Sequence, residues 1–583
     1  MKSLSRSPLT RYIVNLVKAV TAILLIETLV FNWKFWISLA ADYSSPSGAV
    51  LLSISKVRIV LMLAIYLLYV IFRPSSHIWD IKMNSMSRKS KVALSSFVIL
   101  ISLLSAGFTR ITNQGEWLDA GAQYNTGIEA VQDGNQYNHL TDALLNGRVE
   151  LDLPVSDILL EMDNPYDPAE RAALNSEIHD SIYWDYAFYD GNYYCYFGII
   201  PCLLTFLPFK IITGVDLRTD IVVAAFAITT VLSSAYLLIQ VGKTYFSNLT
   251  VGNYLVGFIL LTFGCGVFEQ AFLPRIYPIP ILSALTFSFL GIAFWLKAKR
   301  HFTESRDRYK YLLIGSFSLA FTLGCRPQYV LACLLAFPIF KDEIGKRLFF
   351  SYKGLSNTLA VIAPFLIIFL PIGFYNYIRF DSITNFGAAY NLTGGDMTSY
   401  RFIPFKILVQ FVEYLFLPFQ FTSSFPFITV INNSPLSSNI ESLKTAEPFY
   451  AGFMFLTPIT FSLFALVRKA ARTALKDSGC SPLLITSLAI AAFNIVVASY
   501  VSGTNMRYFA DFAWLIILSA ILVLWSSGFS RSSRGRVFIS ILLFAGLALY
   551  GWTFLGVERF GALIQSCPEI YSAVQNAIFS ALP

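Results

Sequence analysis

The residue whose type and position best suit acid–base chemistry is Asp133, inside a strongly acidic stretch of an otherwise basic chain. Between residues 111 and 190 the sequence holds 16 Asp and Glu against two Arg and no Lys, whereas the whole chain of 583 residues has a net charge of +8. A carboxylate can take a proton from a hydroxyl group during a transfer reaction. This acidic stretch is therefore where we expect chemistry that needs carboxylates.

The sequence that follows Asp133 predicts a short helix. Apolar residues at positions 140–144 follow helical spacing, and Gly147 stands where a residue of positive φ would end the helix. Asp133 with Gln136 three residues later has the pattern of a capping box, in which a side chain satisfies free backbone N–H groups and contributes about 1 kcal/mol. Asp133 therefore has two interpretations, a helix cap or a base that faces a substrate hydroxyl, and one residue can fill both roles.

Composition indicates that the elements around this stretch are membrane helices. The chain is 56% hydrophobic and 13% charged, with a mean hydropathy of +0.61, and a soluble protein of this length needs a far more polar surface. Its apolar runs of roughly 17–25 residues match the hydrocarbon thickness of a bilayer crossed by helices. The predicted fold class is an all-α polytopic membrane protein with a mixed α/β outer loop region.

The distribution of positive charge predicts how the helices cross the membrane. About 13 transmembrane helices are expected, at 12–31, 51–72, 92–109, 219–241, 254–270, 277–297, 311–325, 328–340, 357–377, 451–468, 482–501, 510–526 and 537–555. Basic clusters such as 82–91, 297–308 and 531–536 lie between these spans, and the positive-inside rule puts them in the cytoplasm. The spans then alternate without contradiction in a plasma membrane, with the amino terminus in the cytoplasm and the carboxyl terminus outside.

This topology divides the chain into three parts. Residues 1–91 hold two N-terminal transmembrane helices and a cytoplasmic loop, residues 92–555 form one membrane domain, and residues 556–583 form a short outer tail. The outer side of the membrane domain carries the acidic loop 110–198 and the segment 379–450. The absence of an internal repeat favours a single membrane domain.

Three segments have distinctive local predictions. The apolar run Gly198–Thr213 is too short to span and contains two prolines, so we expect a helix that lies at the outer interface. The pair 311–325 and 328–340, joined at Arg326, is a candidate shallow hairpin. The aromatic run Tyr183–Tyr196 predicts a β-hairpin, because Asp-Gly between aromatic-rich segments is a strong turn signal. Its aromatic side chains suit either the headgroup belt or stacking on sugars.

Several motifs together resemble one enzyme class. Asp133 shortly after an early span is followed by Tyr137 and an Ala-Leu-Leu-Asn-Gly run, and the sequence continues with Tyr193–Pro208, Tyr375–Phe380 and Arg507–Asp511. From about residue 92 onward these elements resemble the bacterial GT-C glycosyltransferases, polytopic enzymes related to the protein O-mannosyltransferase and lipid A aminoarabinose transferase families. Two departures stand out. Two additional spans precede the expected first one, and the usual adjacent Asp-Glu pair here reads Asp133-Gly134.

The resemblance implies a membrane glycosyltransferase that moves a sugar from a polyprenyl-phosphate donor to a cell-envelope glycan, lipid or protein acceptor on the outer face. An inverting transfer needs a base for the acceptor hydroxyl and cations for the departing phosphate. Asp133 is the predicted base. The predicted donor-phosphate ligands, at the outer ends of spans, are Arg275, Arg326 and Arg507. Each Arg has the alternative of snorkelling to the interface or pairing with a nearby acid.

Other side chains are weaker candidates. The predicted substrate contacts are Gln136, Tyr137, Glu269 and Tyr508. No cofactor is certain, and a divalent cation stays open because four scattered side chains have suitable donor atoms, namely His139, Asp163, Asp167 and His179. The segment from Asp163 to Pro168 also has the composition of a turn.

Function classes other than a glycosyltransferase are constrained by the charge pattern. The positive charge lies between spans as topology requires, so it indicates no nucleic-acid partner. A transporter or flippase of a lipid-linked glycan precursor is the alternative function, although such proteins usually bury ionisable groups within spans and have repeated halves. A non-catalytic assembly scaffold is a third possibility, in which Asp133 and Arg326 would tolerate replacement.

Overall fold

The structure is a bundle of long apolar helices. The computed structural model describes residues 8–31, 55–111, 122–302, 307–399, 401–431, 449–501, 503–556 and 563–579. Within these ranges seven helices are long and apolar enough to cross a membrane, namely Arg88–Phe108, Thr219–Tyr245, Pro278–Arg300, Leu355–Phe380, Ser481–Val501, Met506–Ser527 and Ser533–Thr553. Four further apolar helices are shorter, namely Ile199–Thr213, Val251–Gly264, Pro327–Ile339 and Pro458–Val467. The protein is therefore an all-α polytopic membrane protein, as its sequence predicts.

The remaining helical segments connect or flank these spans. They are Pro8–Leu29, Lys56–Phe72, Gln136–Leu145, Asp157–Glu161, Pro168–Ile178, Val267–Phe272, Asp307–Leu323, Lys341–Gly345, Pro404–Phe416, Phe453–Leu456, Lys469–Asp477, Leu563–Ser566 and Pro568–Phe579. Short 3₁₀ helices lie at His77–Trp79, Met83–Ser85, Ala388–Tyr390, Met506–Tyr508 and Phe529–Arg531. Parts of the predicted span 51–72, of the outer segment 379–450 and of the tail 556–583 lie outside the described residues.

One helix forms the centre of the bundle, and we call Phe509–Ser527 the central helix. The span Met506–Ser527 contains this helix, and 94% of its apolar stretch is buried inside the protein. The corresponding fraction is 83% for Pro278–Arg300 and 22% for Arg88–Phe108. A helix that is apolar on all sides belongs in a protein interior, whereas a peripheral membrane helix turns apolar side chains toward lipid. Burial within the protein therefore distinguishes the central helix from the outer ones, although both kinds are equally apolar in sequence.

Three predicted spans are irregular. Predicted span 254–270 breaks at Gly266, whose φ of +76° separates Val251–Gly264 from Val267–Phe272. Most of the residues of 328–340 and 451–468 form 3₁₀ helix, at Pro327–Leu335 and Pro458–Val467. At roughly 2 Å per residue these segments reach about 20 Å at most, short of a hydrocarbon core of about 30 Å. The total of thirteen crossings therefore stays a prediction.

The outer loop region is mixed, with three small two-stranded antiparallel sheets beside its helices. Gln123–Asn125 pairs with Ala130–Gln132, and Gln420–Phe421 pairs with Ile428–Thr429. The predicted aromatic hairpin is confirmed, because Ala187–Tyr189 pairs with Asn192–Tyr194 across Asp190 and Gly191. Both turn residues have positive φ, +47° and +71°, as a two-residue turn of type I′ requires.

The helix after Asp133 begins later than its sequence indicates. It spans Gln136–Leu145, with Asn135 as the N-cap residue, so the predicted capping box does not form. Instead the Asp133 carboxylate accepts a hydrogen bond from the Asn135 N–H at 2.8 Å and closes the turn before the helix. The predicted helix end is confirmed, because Gly147 has a φ of +69° and the Arg148 N–H returns to the Ala143 carbonyl at 2.8 Å.

The segment Ile199–Thr213 has the two faces expected of an interfacial helix. Cys202 and Phe206 are buried against the rest of the protein, whereas Ile211 and Ile212 are 63% and 82% exposed. Its first turn is tied to the end of the helix Asp307–Leu323, because the Ile200 N–H donates to the Gly324 carbonyl at 2.8 Å. This contact fixes the outer loop region to the bundle.

Gly198→Ala tests that junction. A Cβ at position 198 would overlap the carbonyl oxygens of Gly324 and Cys325, which are backbone atoms and cannot rotate away. We expect a loss of about 1–3 kcal/mol, the range for overpacking a filled site, measured as a lower thermal unfolding midpoint in detergent. The control is Gly107→Ala, because a Cβ there has no neighbour within 4 Å. Equal midpoints for the two variants would contradict this account.

Candidate functional site

Two carboxylates occupy equivalent positions on neighbouring chain segments of the outer loop region. Val131 and Tyr183 form a parallel β-bridge, with the Val131 N–H donating to Ile182 at 2.7 Å and the Trp184 N–H donating to Val131 at 2.9 Å. Two residues beyond this bridge, one segment carries Asp133 and the other carries Asp185. The pairing therefore brings the segments that carry these two acids side by side, although the acids are 52 positions apart in the sequence.

Asp133 forms a pair with His139. The Asp133 Oδ2 lies 2.8 Å from the His139 Nε2, and Asp133 itself is 9% exposed. The His139 side chain is 30% exposed, so it connects the buried carboxylate with the surroundings. Burial and the negative charge of Asp133 both raise the pKa of Tyr186, which indicates that this tyrosine lies beside the carboxylate. The arrangement gives Asp133 a neighbour that can carry a proton.

Asp185 is held by donors from three distant parts of the chain. It adopts a left-handed conformation with φ +62°, and its N–H donates to the Leu392 carbonyl at 2.8 Å. The Tyr277 hydroxyl and the Asn391 amide donate to its carboxylate, while the Gln136 amide donates to its carbonyl at 2.7 Å. The carboxylate is therefore held by two donors, and the backbone of Asp185 is held at both its N–H and its carbonyl.

Burial raises the pKa of the Asp185 carboxyl above its ordinary value. The hydrogen bond from Tyr277 and the positive charge of Arg507 act in the opposite direction but do not cancel the effect of burial. Sequence reasoning missed this residue because it lies in an aromatic run that reads as hairpin packing. An acid between Trp184 and Tyr186, just before the first strand of the hairpin, was the available signal.

Arg507 is the predicted phosphate ligand that lies nearest to Asp185. Its guanidinium carbon lies 4.3 Å from the centre of the Tyr277 ring and 5.5 Å from that of Tyr508. The Arg507 N–H is held by the Asn505 side chain at 2.8 Å, which fixes the backbone just before the central helix. A half-buried guanidinium over aromatic rings keeps its charge at the edge of the site.

Arg326 is engaged by an acid of the central helix. Its Nε and Nη2 each donate to Asp511 at 2.7 Å, and Gln328 donates to the same carboxylate at 3.2 Å. Its guanidinium carbon also lies 5.1 Å from the centre of the Tyr508 ring, so Arg326 and Arg507 are close to one tyrosine. The bidentate pair neutralises Arg326, and its contacts are those of a residue that positions Tyr508.

The other predicted outer residues are less closely associated with this cluster. Arg275 is exposed after the helix Val267–Phe272, and Tyr277 acts electrostatically on its guanidinium. Glu269 accepts a hydrogen bond from the Tyr550 hydroxyl at 2.9 Å. The residue after Glu269, Gln270, reaches the Arg507 carbonyl at 3.4 Å. The structure therefore brings Arg275, Arg326 and Arg507 to one end of the bundle, with Arg507 at the centre.

Two predicted substrate contacts are buried. Tyr137 is 1% exposed, its ring stacks on Phe206 at 5.1 Å, and its hydroxyl donates to Gly198 at 3.2 Å. These are the contacts of a core residue that packs the helix Gln136–Leu145 against Ile199–Thr213. Gln136 is also 1% exposed, and its amide nitrogen positions Asp185.

The four candidate metal ligands lie in separate places. His139 contacts Asp133, Asp167 caps the helix Pro168–Ile178 by accepting from two N–H groups, and His179 lies 3.3 Å from Glu129. Asp163 is exposed in the preceding turn. Among the described residues no group of three or more His, Cys, Asp or Glu side chains could hold a metal ion.

Comparisons with known proteins give little further guidance. No family model matches the chain, and no curated protein matches it significantly in sequence. Among solved structures, the chain is similar to the apo form of the oligosaccharyltransferase of Archaeoglobus fulgidus, with a TM-score of 0.40 and 14% identity. The match covers 80% of this chain and 55% of the other, so the chain spans about half the length of that protein. At this TM-score the likeness carries no conclusion about this chain.

The Arg326–Asp511 pair is testable by charge removal. Arg326→Gln leaves the Asp511 carboxylate, 3% exposed, without its main partner, and breaking such a pair costs about 3–5 kcal/mol. We expect the double variant Arg326→Gln/Asp511→Asn to recover much of that loss, because no charge is left buried. Thermal unfolding of both in detergent measures this. Arg148→Gln is the control, since its ion pair with Asp152 is exposed and contributes at most about 1 kcal/mol. Additive effects of the two substitutions would contradict the pairing.

Asp185 predicts a pH dependence of stability. Because folding raises the pKa of the Asp185 carboxyl, its protonation stabilises the folded chain. This stabilisation is fully present below the unfolded pKa near 3.8 and is lost as the pH rises through the folded pKa. Asp185→Asn cannot lose a proton. The unfolding midpoint of this variant relative to the native chain should therefore rise as pH increases from the unfolded pKa upward. The exposed Asp163→Asn is the control, and an Asp185→Asn difference independent of pH would exclude the assignment.

Proposed function

We propose that the chain is a membrane glycosyltransferase that moves a sugar from a polyprenyl-phosphate donor to a cell-envelope acceptor on the outer face. The observation that carries this proposal is the Asp133–His139 pair, whose Oδ2 and Nε2 atoms are 2.8 Å apart. The neighbouring chain segment carries Asp185, and the charge of Arg507 acts on that residue. A proton acceptor and a cation at one end of a membrane bundle are the two groups that such a transfer needs.

Asp133 is the general base in this mechanism. It takes the proton of the acceptor hydroxyl while the acceptor oxygen forms a bond to the anomeric carbon of the donor sugar. The bond from that carbon to the phosphate oxygen breaks with inversion, and its electron pair leaves with the polyprenyl phosphate. The contact of Asp133 Oδ2 with His139 supports this role, because the 30% exposed imidazole can pass the proton to water.

Arg507 stabilises the departing phosphate. The transfer leaves negative charge on the phosphate oxygens, and a guanidinium offers a permanent charge with a planar set of donors. Arg507 suits this role because its guanidinium carbon lies 4.3 Å from the centre of the Tyr277 ring and its charge acts on Asp185. Arg275, exposed at the same end of the bundle, is a second cation for the lipid phosphate.

The side chains of Gln136 and Asn391 lie next to Asp185, where their amide oxygens are closed off from solvent. The Oε1 of Gln136 and the Oδ1 of Asn391 have no hydrogen-bond donor within the described residues. A buried acceptor without a partner costs about 1–3 kcal/mol. Asp185 itself orients Tyr277 and Asn391 around this position.

Asp133→Asn tests the base. The amide keeps the size of the side chain but cannot take a proton, so we expect kcat for transfer to fall by about 10²–10⁴ with donor binding retained. The assay gives purified protein a panel of labelled polyprenyl-phosphate sugars and follows product. Asp152→Asn is the matched control in the same acidic loop, because that carboxylate is 81% exposed. Full activity of Asp133→Asn would remove Asp133 from the mechanism.

The same preparation separates this function from transport. Proteoliposomes that move a lipid-linked sugar across the membrane without forming a covalent product would favour a flippase. The proposed location is the plasma membrane, with the amino terminus in the cytoplasm.

A further inference from the structure

A cavity of about 410 Å³ lies at the end of the central helix away from the candidate site. It is lined by Ser526 and Gly528, whereas Asp511 and the arginines of the candidate site lie at the start of the same helix. The 19 residues of this helix span about 28 Å at 1.5 Å per residue. The cavity and the candidate site therefore lie at opposite ends of the central helix.

The cavity offers hydrogen-bonding side chains that the protein leaves unused. The side chains of Asn248, Asn253 and Ser530 line it. None of these three side chains has a hydrogen-bond partner within the described residues, and none is among the buried atoms closed off from solvent. Hydroxyl and amide groups of this kind bind ligands that carry hydroxyl groups.

Arg531 adds a positive charge to this lining. It is exposed, and its guanidinium lies against Gly528, whose φ is +63°. The Arg531 N–H donates to the Gly528 carbonyl at 2.9 Å, but the guanidinium has no hydrogen-bond or ion-pair partner within the described residues. Arg536, also in the lining, differs from it. Arg536 donates to Asp80 at 2.8 Å, to Pro74 at 3.0 Å and to Ser530 at 2.9 Å, so its charge and donors are used by the wall itself.

The surroundings of the cavity are basic. Lys82 forms a β-bridge with Thr250, and the Met83 N–H donates to the Leu249 carbonyl at 2.8 Å, so the basic segment 82–91 is joined to the loop that lines the cavity. Arg534 follows three residues after Arg531, in the first turn of the helix Ser533–Thr553. This is the face that the charge distribution predicts to be cytoplasmic.

We propose that this cavity binds a phosphate ester that carries hydroxyl groups, of the kind found in anionic lipid headgroups. Arg531 binds the phosphate, because a guanidinium donates two parallel hydrogen bonds to it. Asn248, Asn253 and Ser530 bind the hydroxyl groups. The volume lies within the range of about 300–1,000 Å³ for small-molecule pockets, and basic pockets between helices on the cytoplasmic side suit lipid headgroups.

The test compares two sources of this chemistry on the full-length chain in a neutral detergent. Native mass spectrometry measures retention of phosphatidylglycerol relative to phosphatidylcholine, and thermal unfolding measures stabilisation by sn-glycerol 3-phosphate. Retention of phosphatidylglycerol supports the site with a lipid as its ligand. Stabilisation by glycerol phosphate alone supports the site with a soluble ligand. A response to neither overturns the proposal.

Arg531→Gln should weaken the binding by about tenfold or more, because a charged hydrogen bond is worth about 1.5–3 kcal/mol. Arg534→Gln is the matched control, since Arg534 is exposed three residues further along the chain but does not line the cavity. An equal loss in both variants would mean non-specific surface attraction and would overturn the proposal. Arg531→Lys keeps the charge without the planar donors and should bind more weakly than the native chain but more strongly than Arg531→Gln. The midpoints without ligand establish that each variant is folded.

Discussion

The arrangement of the outer site depends on the ion pair between Arg326 and Asp511. Asp511 lies in the first turn of the central helix, where the helix dipole favours a negative charge, and Arg326 binds it with two hydrogen bonds of 2.7 Å. The pair joins the start of the segment Pro327–Leu335 to the most buried helix of the bundle. It also fixes Arg326 beside Tyr508, and Tyr508 lies next to Arg507. Contacts then continue from Arg507 to Tyr277 and Asp185.

A second anchor holds the other side of the site. Arg379, near the end of the helix Leu355–Phe380, is buried and donates to the Cys195 carbonyl at 2.7 Å. Cys195 directly follows the aromatic hairpin, and the chain then enters the helix Ile199–Thr213. The sequence motif Tyr375–Phe380 therefore has a structural role, because it contains Arg379. A guanidinium that donates to a backbone carbonyl adds a charged hydrogen bond between this loop and the bundle.

The sequence predicted those features that depend only on residues adjacent in the chain. The positive φ of Gly147 and of the Asp190–Gly191 turn follows from residue type, and span length follows from hydrophobic runs. Partners that are distant in the chain were not predictable. The sequence could not indicate that Asp511 neutralises Arg326, or that Tyr277 and Asn391 converge on Asp185. The predicted capping box was wrong because the chain turns once more, at Asn135, before the helix begins.

The same contacts explain why the proposed base is Asp133 and not Asp185. Each carboxylate oxygen of both acids has a partner, namely Tyr277 and Asn391 for Asp185, and the Asn135 N–H and His139 for Asp133. The difference therefore lies in what these partners can do. A base must also pass its proton on after each turnover. Asp133 has a partly exposed imidazole for this step, whereas Asp185 has a tyrosine and an amide. Because the two acids are equivalent in position along their segments, these neighbours alone distinguish their roles.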